Sequence, residues 1–354
     1  YNERMYSRNF QNPPEAIVQK GKANFGTYNN ISPRIDIKGM RAPYAGLPLP
    51  VFISNLRIKS RLDYVFETKN FIGFTEFFDF KIMGTARIIF WNKETGKKHA
   101  YFSFMGLRRR FIPISTTAGT CISFNKKRFI KVFWGKNHQQ IAMRFNVKGD
   151  SVRPDCSGSF FSSMYSENHS DNLFVNPSPV SSRCSATWFT TMQMQGKMVI
   201  NNEEADNSKG IAAMMINRTY LKLHSISSIF WGIGTVKDKN IIFQLKNSNL
   251  DAADSDSYND NLLTVNGEQT ALPPVYMTHP FGMNKDWIIQ DTESMVDLTF
   301  TPVSLDSNSR NFIVLRTAYT SIYGLFSGVL LDHNGEKIIL KNFPGILNRN
   351  LVRL

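Results

Sequence analysis

Short aromatic-rich runs separated by turns dominate this sequence, and that pattern restricts the chain to a β fold. Hardly any window of about twelve residues repeats its apolar positions with helical spacing, so long amphipathic helices are not expected. The run 141–148 alternates cleanly between apolar and polar residues. Such alternation is typical of a strand with one buried and one wet face. Many short strands with regular turns predict two antiparallel barrels or sandwiches.

The strands and turns can be placed with some precision. Asn92–Gly96 and His333–Glu336 contain tight-turn residues and predict hairpins. The predicted strands are Leu62–Thr68, Phe71–Phe80, Thr85–Trp91, His99–Met105, Thr120–Phe124, Arg128–Trp134, Ile141–Lys148, Gly158–Tyr165, Trp188–Met194, Lys197–Asn201, Ile211–Met215, Ser225–Gly234, Ile241–Leu245, Leu262–Val265, Met295–Pro302, Asn311–Thr317, Tyr323–Leu331 and Lys337–Lys341.

A polar stretch over 149–185 divides the chain. Within it, Asn176-Pro177-Ser178-Pro179 is the best linker signal, because proline and serine interrupt regular structure. We therefore predict an irregular amino-terminal segment over 1–50 that packs on the rest, a first domain over 51–177 and a second over 178–354.

Positive charge is concentrated in the first part of the chain. Residues 1–150 hold 26 of the 42 basic residues but only 9 of the 28 acidic ones. This segment predicts either a solvated basic surface or contact with an anionic surface. No nucleic-acid motif accompanies the charge, so no specific nucleic acid is expected. The expected contact residues are Arg108, Arg109, Arg110, Lys126, Lys127, Arg128 and Lys131.

Motifs for several chemistries are missing from the sequence. It has no dinucleotide fingerprint, no phosphate-binding loop, no zinc-protease motif and no nucleophile elbow. The histidines are scattered and the three cysteines show no metal-site spacing, so we expect neither a metal nor another cofactor. The odd cysteine count and the lack of a visible signal peptide or membrane span favour a cytoplasmic protein.

The order of the carboxyl-terminal motifs resembles a bacterial family, the domain of unknown function 2804. An Asn259-Asp260-Asn261 step precedes a short strand that ends in Asn266-Gly267, and Trp287 follows. Next come a strand ending in Phe300-Thr301-Pro302, the run Tyr323–Gly328, and a final hairpin. Leu62-Asp63-Tyr64 and the strand Ala86–Trp91 are compatible with the family's first domain. The resemblance spans most of residues 57–345.

The resemblance implies two tandem lipocalin-like β-barrels. Carotenoid 1,2-hydratases and AttH-like proteins have a similar architecture, and such relatives bind or transform large apolar molecules in a barrel cavity. Arg218 and Trp231 match the family pattern. Asn217, however, stands where the family usually has an acidic residue, which favours binding without catalysis.

We expect a lipophilic or amphiphilic ligand, of lipid or isoprenoid type, in a barrel cavity without redox chemistry. The expected ligand-binding residues are Arg218, Phe230, Trp231, Asp260, Asn261, Trp287, Phe300 and Tyr323. One alternative is a hydratase- or cyclase-type enzyme that transfers protons through a buried carboxyl group, with Asp260 or Asp297 as the catalytic residue. Another is a peripheral protein that binds anionic membranes or polyanions through its basic first half.

Overall fold

The structure, a computed structural model, describes residues 5–44, 49–81, 83–106, 111–135, 139–164, 168–220, 222–312 and 315–353. These residues form a nearly all-β protein of two tandem lipocalin-like barrels, as predicted. The first barrel is nearly closed and the second is a half-barrel. No helix in the described ranges is long and apolar enough to cross a membrane.

The amino-terminal part combines irregular chain with short elements. They are β1 (Phe10–Gln11), β2 (Val18–Gln19), β3 (Lys22–Ala23), β4 (Gly26–Tyr28) and the helix α1 (Val51–Leu56). β4 joins the first sheet by pairing with residues 173–175, and β1 pairs in parallel with β4. Pro50 directly precedes α1, where a residue without an N–H removes no helical hydrogen bond.

The first barrel contains the next eleven strands. They are β5 (Ile58–Glu67), β6 (Phe71–Asp79), β7 (Gly84–Asn92), β8 (Lys98–Met105), β9 (Ala118–Asn125), β10 (Arg128–Gly135), β11 (Gln140–Val147), β12 (Cys156–Ser163), β13 (Ser170–Pro177), β14 (Cys184–Ile200) and β15 (Glu203–Tyr220). Their main order is β8-β7-β6-β5-β15-β14-β12-β11-β10-β9, and β13 pairs with β14 beside this path.

The half-barrel contains the remaining strands in the order β19-β18-β17-β16-β24-β23-β22-β21-β20. They are β16 (His224–Val236), β17 (Lys239–Ser248), β18 (Leu262–Val265), β19 (Glu268–Ala271), β20 (Tyr276–Thr278), β21 (Trp287–Gln290), β22 (Val296–Phe312), β23 (Leu315–Leu331) and β24 (Lys337–Arg353). The register of β22 shifts at Pro302–Ser304. Proline lacks a donor for the ladder, and a bulge accommodates it.

The chain changes sheet between Tyr220 and His224. The predicted boundary at 177–178 therefore lies inside the first sheet, in the connection between β13 and β14. The proline-rich stretch joins two paired antiparallel strands here, because prolines favour hairpin connections as well as domain linkers.

Other sequence predictions also differ from the structure in detail, and strands such as β19, β20 and β21 are not predicted. Trp188–Met194 and Lys197–Asn201 belong to one long strand, β14, instead of two. The predicted strand Asn311–Thr317 spans the change from β22 to β23, and residues 313–314 lie outside the described residues. β13 was not predicted, because its serine, asparagine and proline content is typical of a loop.

Each barrel is filled by its own aromatic side chains. In the first barrel, the Phe66 and Phe160 ring centroids lie 4.5 Å apart, and Phe145 stacks on Phe160 at 6.4 Å. In the second, Phe230 lies 5.0 Å from Phe300 and 5.5 Å from Trp287. Rings at these distances leave little room for another molecule, so the space for a ligand has to be sought elsewhere.

A third layer of buried side chains lies between the two barrels, and we call it the seam. Leu62, Tyr64 and Phe66 on β5 belong to the first barrel's core, whereas Val65 belongs to the seam. β5 is therefore buried on both faces, as are β6 and β7. The seam core includes Val65, Ile72, Phe74, Ile89, Trp91, Ile229, Trp231, Tyr323 and Ile346.

Candidate functional site

A cluster of four charged side chains lies buried on β5, β6 and β7 where these strands face the second barrel. Nε of Arg61 lies 2.6 Å from Oδ2 of Asp63, and Nη2 of Arg61 lies 2.8 Å from Oε2 of Glu76. Arg87 donates a hydrogen bond from Nε to Oε1 of Glu76 at 2.8 Å. The formal charges cancel, and mutual attraction offsets part of the cost of removing each charge from water.

Arg87 connects this charged group to the second barrel. Its Nη1 donates to Oγ of Ser321 at 3.1 Å, and its Nη2 donates to Oδ1 of Asn348 at 2.9 Å. The guanidinium also lies 4.0 Å from the ring centroid of Tyr319. One side chain thus joins a carboxylate of the first sheet to two strands of the second.

The two carboxyl groups in this cluster differ in proton affinity. Burial raises the pKa of Asp63 to about 7, although the Arg61 guanidinium opposes the shift. Burial also acts on Glu76, but Arg61 and Arg87 together outweigh it and hold the pKa of Glu76 below its usual range. The difference arises because two guanidinium groups contact Glu76 while only Arg61 contacts Asp63.

A cavity of about 80 Å³ lies at one end of the seam, beside the charged cluster. Both sheets contribute walls, so the cavity depends on the packing of the two barrels. Its apolar wall contains Phe78, Met215, Ile229, Leu250 and Val352. Its polar wall combines serine and threonine hydroxyls with Lys59, Arg61, Asn217, Lys246, Asp260 and Asn350. A mainly apolar pocket with a few convergent polar groups is typical of small-molecule sites.

Asp260 and Lys246 form a buried ion pair in the cavity wall. Lys246 Nζ lies 2.8 Å from Oδ2 of Asp260 and 3.7 Å from Oδ1 of Asp251. Asp260 also accepts hydrogen bonds from Thr187 Oγ1 at 3.0 Å and from Asn176 Nδ2 at 2.6 Å. Three donors therefore occupy the carboxyl oxygens of Asp260.

Lys59 has a different environment from the other cations in the wall. Its Nζ donates to the carbonyl oxygens of Phe80 at 2.6 Å and Leu56 at 3.3 Å. None of the ion pairs among the described residues includes Lys59. Burial lowers the pKa of Lys59 to about 8, with Asp79 opposing the shift. The Lys59 ammonium can therefore form an ion pair with an anion that enters the cavity.

Asn217, which departs from the family pattern, lies in the cavity wall. Its Nδ2 donates to Oγ1 of Thr187 at 2.8 Å and to Oγ of Ser185 at 3.0 Å. Thr187 in turn donates to Asp260. A carboxylate in place of Asn217 would stand close to Asp260 and add negative charge to this wall.

A second cavity, of about 50 Å³, lies on the other side of Phe78, Asn350 and Val352. These three side chains line both cavities and separate them. Nδ2 of Asn350 is buried without a hydrogen-bond partner in the part of the chain that the structure describes. A molecule that displaces Phe78 or Val352 would connect the two spaces and offer this amide an acceptor.

The expected ligand-binding residues occupy several places. Asp260 lies in the cavity wall, and Asn261 lies next to it with its side chain bonded to Lys246 N and Pro273 O, each at 2.8 Å. Arg218 lies within the first barrel instead, where its guanidinium donates to Ser60 Oγ at 2.7 Å. Neither Asn261 nor Arg218 lines the cavity.

The expected aromatic liners also divide into two groups. Phe230, Trp287 and Phe300 pack inside the second barrel. Trp231 and Tyr323 lie in the seam, where Trp231 Nε1 donates to Gln244 Oε1 at 3.2 Å. Asp297 is exposed on β22 and accepts a hydrogen bond from Gln290.

The predicted anionic contact residues lie far from the cavity where they can be placed. Lys126 and Lys127 are exposed in the turn between β9 and β10, and Arg128 and Lys131 are partly buried on β10. Arg128 pairs with Val147, Val147 with Cys156, and Cys156 with Ile200. Ile200 and Tyr220 lie at opposite ends of the β14–β15 pair, so this turn is at the other end of the strands from Tyr220. Arg108, Arg109 and Arg110 lie outside the described residues.

Sequence reasoning did not select Lys59 or Lys246. Each stands near the end of a strand, and a lysine there usually reaches solvent. Only the packing of the second barrel against the first buries them together. Within the described ranges, no three histidine, cysteine, aspartate or glutamate side chains are placed to hold a metal ion.

The chain belongs to the family described as Domain of unknown function (DUF2804), whose sequence model matches residues 8–353. The resemblance inferred from the motif order is therefore confirmed. The family's description states no function, and no curated protein matches the chain.

Two solved structures are similar to this chain at low sequence identity. Kievitone hydratase from Nectria haematococca is 11% identical, with 83% of this chain and 88% of that chain covered and a TM-score of 0.46. CghA with Sch210972 is 9% identical, with 93% of this chain and 96% of that chain covered and a TM-score of 0.47.

Proposed function

We propose that this protein binds a small amphiphilic molecule with an anionic head in the cavity at the end of the seam. The observation that carries the proposal is the division of the cavity into an apolar wall and a wall of convergent polar groups. The filled barrel interiors are consistent with this location, because the cavity lies outside both barrel cores, at the end of the seam.

The charge of the head follows from the cations in the wall. Arg61 is neutralised by Asp63 and Glu76, and Lys246 by Asp260 and Asp251. Lys59 donates to two backbone carbonyl oxygens and lies 5.8 Å from the Phe80 ring centroid, without an ion pair among the described residues. An anionic oxygen would complete its hydrogen bonds, and a charge-assisted bond contributes about 1.5–3 kcal/mol.

The apolar part of the ligand would lie against Phe78, Ile229 and Val352. A volume of about 80 Å³ holds only a small group, so a longer tail has to displace Phe78 or Val352 and enter the second cavity. A hydratase- or cyclase-type reaction would instead need a carboxylic acid facing the ligand. The carboxyl oxygens of Asp260 already contact Lys246, Thr187 and Asn176, so binding is the function that we propose first.

Lys59→Met is expected to weaken the binding of octanoate about tenfold while changing that of octanol little, because only octanoate has a charge for Lys59 to contact. Isothermal titration calorimetry with both probes would measure this difference. Lys197→Met is a matched control, since Lys197 is an exposed lysine paired with Glu204 on the first sheet. Equal losses for the two probes, or no saturable binding of octanoate to the unmodified protein, would contradict the proposal.

Octanoate binding is also expected to depend on pH through Lys59. Its pKa of about 8 means that Lys59 is an ammonium below this pH and a neutral amine above it. Affinity should therefore fall as the pH rises through about 8, with the midpoint moved upward in the complex because a bound anion stabilises the ammonium. Titrations across this range should show no such step in Lys59→Met. A flat profile in the unmodified protein would remove Lys59 from the site.

A further inference from the structure

Four large apolar side chains are exposed at the end of the molecule where the cavity lies. Val51 is 68% exposed, Phe52 66% and Leu56 51%, all on α1. Leu223, in the connection between the sheets, is 64% exposed. Ile58 pairs with Tyr220, so α1 and Leu223 extend from adjacent strand ends. The four residues form one end of the molecule, which we call the apolar cap.

Basic side chains surround the apolar cap. Arg57 follows α1 directly, and its guanidinium lies 4.4 Å from the ring centroid of Tyr44, which Arg183 also approaches at 5.3 Å. Lys38 lies near Lys81, and Lys222 stands beside Leu223. The acidic side chains at this end are the buried Asp79, which lies 3.8 Å from Lys81, the partly buried Asp36 and Asp251, and the exposed Asp254 and Asp256. Lys38, Arg57 and Lys222 take part in none of the ion pairs found among the described residues, so their charges are available to phosphate.

We propose that the apolar cap docks on an anionic lipid bilayer. Apolar side chains on a short surface helix, flanked by cations, match the headgroup region, where aliphatic groups enter the acyl boundary and lysine or arginine contacts phosphate. A protein partner fits less well. Four side chains are few compared with the about 20–30 residues that each partner gives to a stable interface.

The same end of the molecule leads to the cavity. Lys59 Nζ in the cavity wall donates to the carbonyl oxygen of Leu56 in α1. Leu250 and Ser225, which also line the cavity, belong to the neighbouring strand ends. Docking would thus place the cavity close to the membrane surface. The docking itself does not depend on the proposed ligand, and it is tested without one.

Co-sedimentation with phosphatidylcholine vesicles, with and without phosphatidylglycerol, tests the proposal. The unmodified protein should bind the anionic vesicles and bind less as salt is added. Val51→Ser/Phe52→Ser should weaken binding about tenfold or more, because two apolar side chains no longer enter the bilayer. The affinity of Lys38→Gln/Lys222→Gln for the anionic vesicles should fall about fivefold for each charge removed.

Matched controls lie at the opposite end of the strands. Phe124 is 72% exposed beside Lys126 and Lys127, so Phe124→Ser/Lys126→Gln removes similar groups from the other basic surface. This variant should bind like the unmodified protein. Loss of binding in the control alone would assign docking to that end. Equal binding to neutral vesicles, or self-association through the apolar cap without vesicle binding, would also overturn the proposal. Octanoate titration of the same variants separates a failure of docking from a failure of the cavity.

Discussion

Replacing Arg87 with methionine is expected to lower the free energy of unfolding by about 3–5 kcal/mol. The substitution removes one of two guanidinium partners from the buried Glu76 and breaks the bonds to Ser321 and Asn348. A carboxylate left with one partner in a buried site loses much of the attraction that compensates for its desolvation. Urea unfolding near neutral pH would measure the loss.

Two further variants test this explanation. Arg144→Met should change the free energy of unfolding by no more than about 0.5 kcal/mol, because Arg144 is an exposed residue over the Phe161 ring. Glu76→Gln/Arg87→Met should be more stable than Arg87→Met, since it leaves Arg61 and Asp63 as a neutral pair. If the double variant were no more stable than Arg87→Met, lost packing would explain the effect better than unpaired charge.

Phe230→Ala is expected to lower the free energy of unfolding by about 3–5 kcal/mol as well. Phe230 is fully buried and contacts three rings, those of Trp287, Phe300 and Phe326, at centroid distances of 5.0–5.9 Å. Alanine would leave a void among these rings. Urea unfolding would measure the loss, and Phe124→Ala at an exposed position should have little effect.

The same variant distinguishes a core residue from a ligand-binding residue. Without urea, folded Phe230→Ala should bind octanoate as the unmodified protein does, because Phe230 does not line the cavity. A stable variant that had lost octanoate binding would instead place the ligand inside the second barrel, as the sequence alone suggested.

The fold could be predicted further than the site. Alternation and turn residues in segments such as 141–148 and His333–Glu336 are local, and they specified strands and hairpins that the structure confirms. The strands β5, β6 and β7 lack alternation because they are buried on both faces, and a single sequence does not reveal which sheet covers the outer face. The change of sheet at Tyr220–His224 had no proline or glycine signal to mark it.

The cavity depends on contacts that are distant in sequence. Asp260 could be selected from its position between two asparagines, but its neighbours Asn176, Thr187 and Lys246 come from three strands. Aromatic residues were expected to surround a ligand because binding sites and cores use the same side chains. In the structure they fill the barrels, and most of the polar groups that converge at the cavity are ordinary serines, threonines and lysines.

The amino-terminal segment has a consequence for how the chain folds. Arg8 donates to the carbonyl oxygens of Asn259 at 2.5 Å and Asn261 at 2.7 Å, and Tyr6 donates to that of Asp256 at 2.6 Å. These residues are synthesised about 250 positions before their partners, and contacts of such separation form late. We expect the first barrel to assemble during synthesis and this segment to fasten last, closing over both barrels once the second is complete.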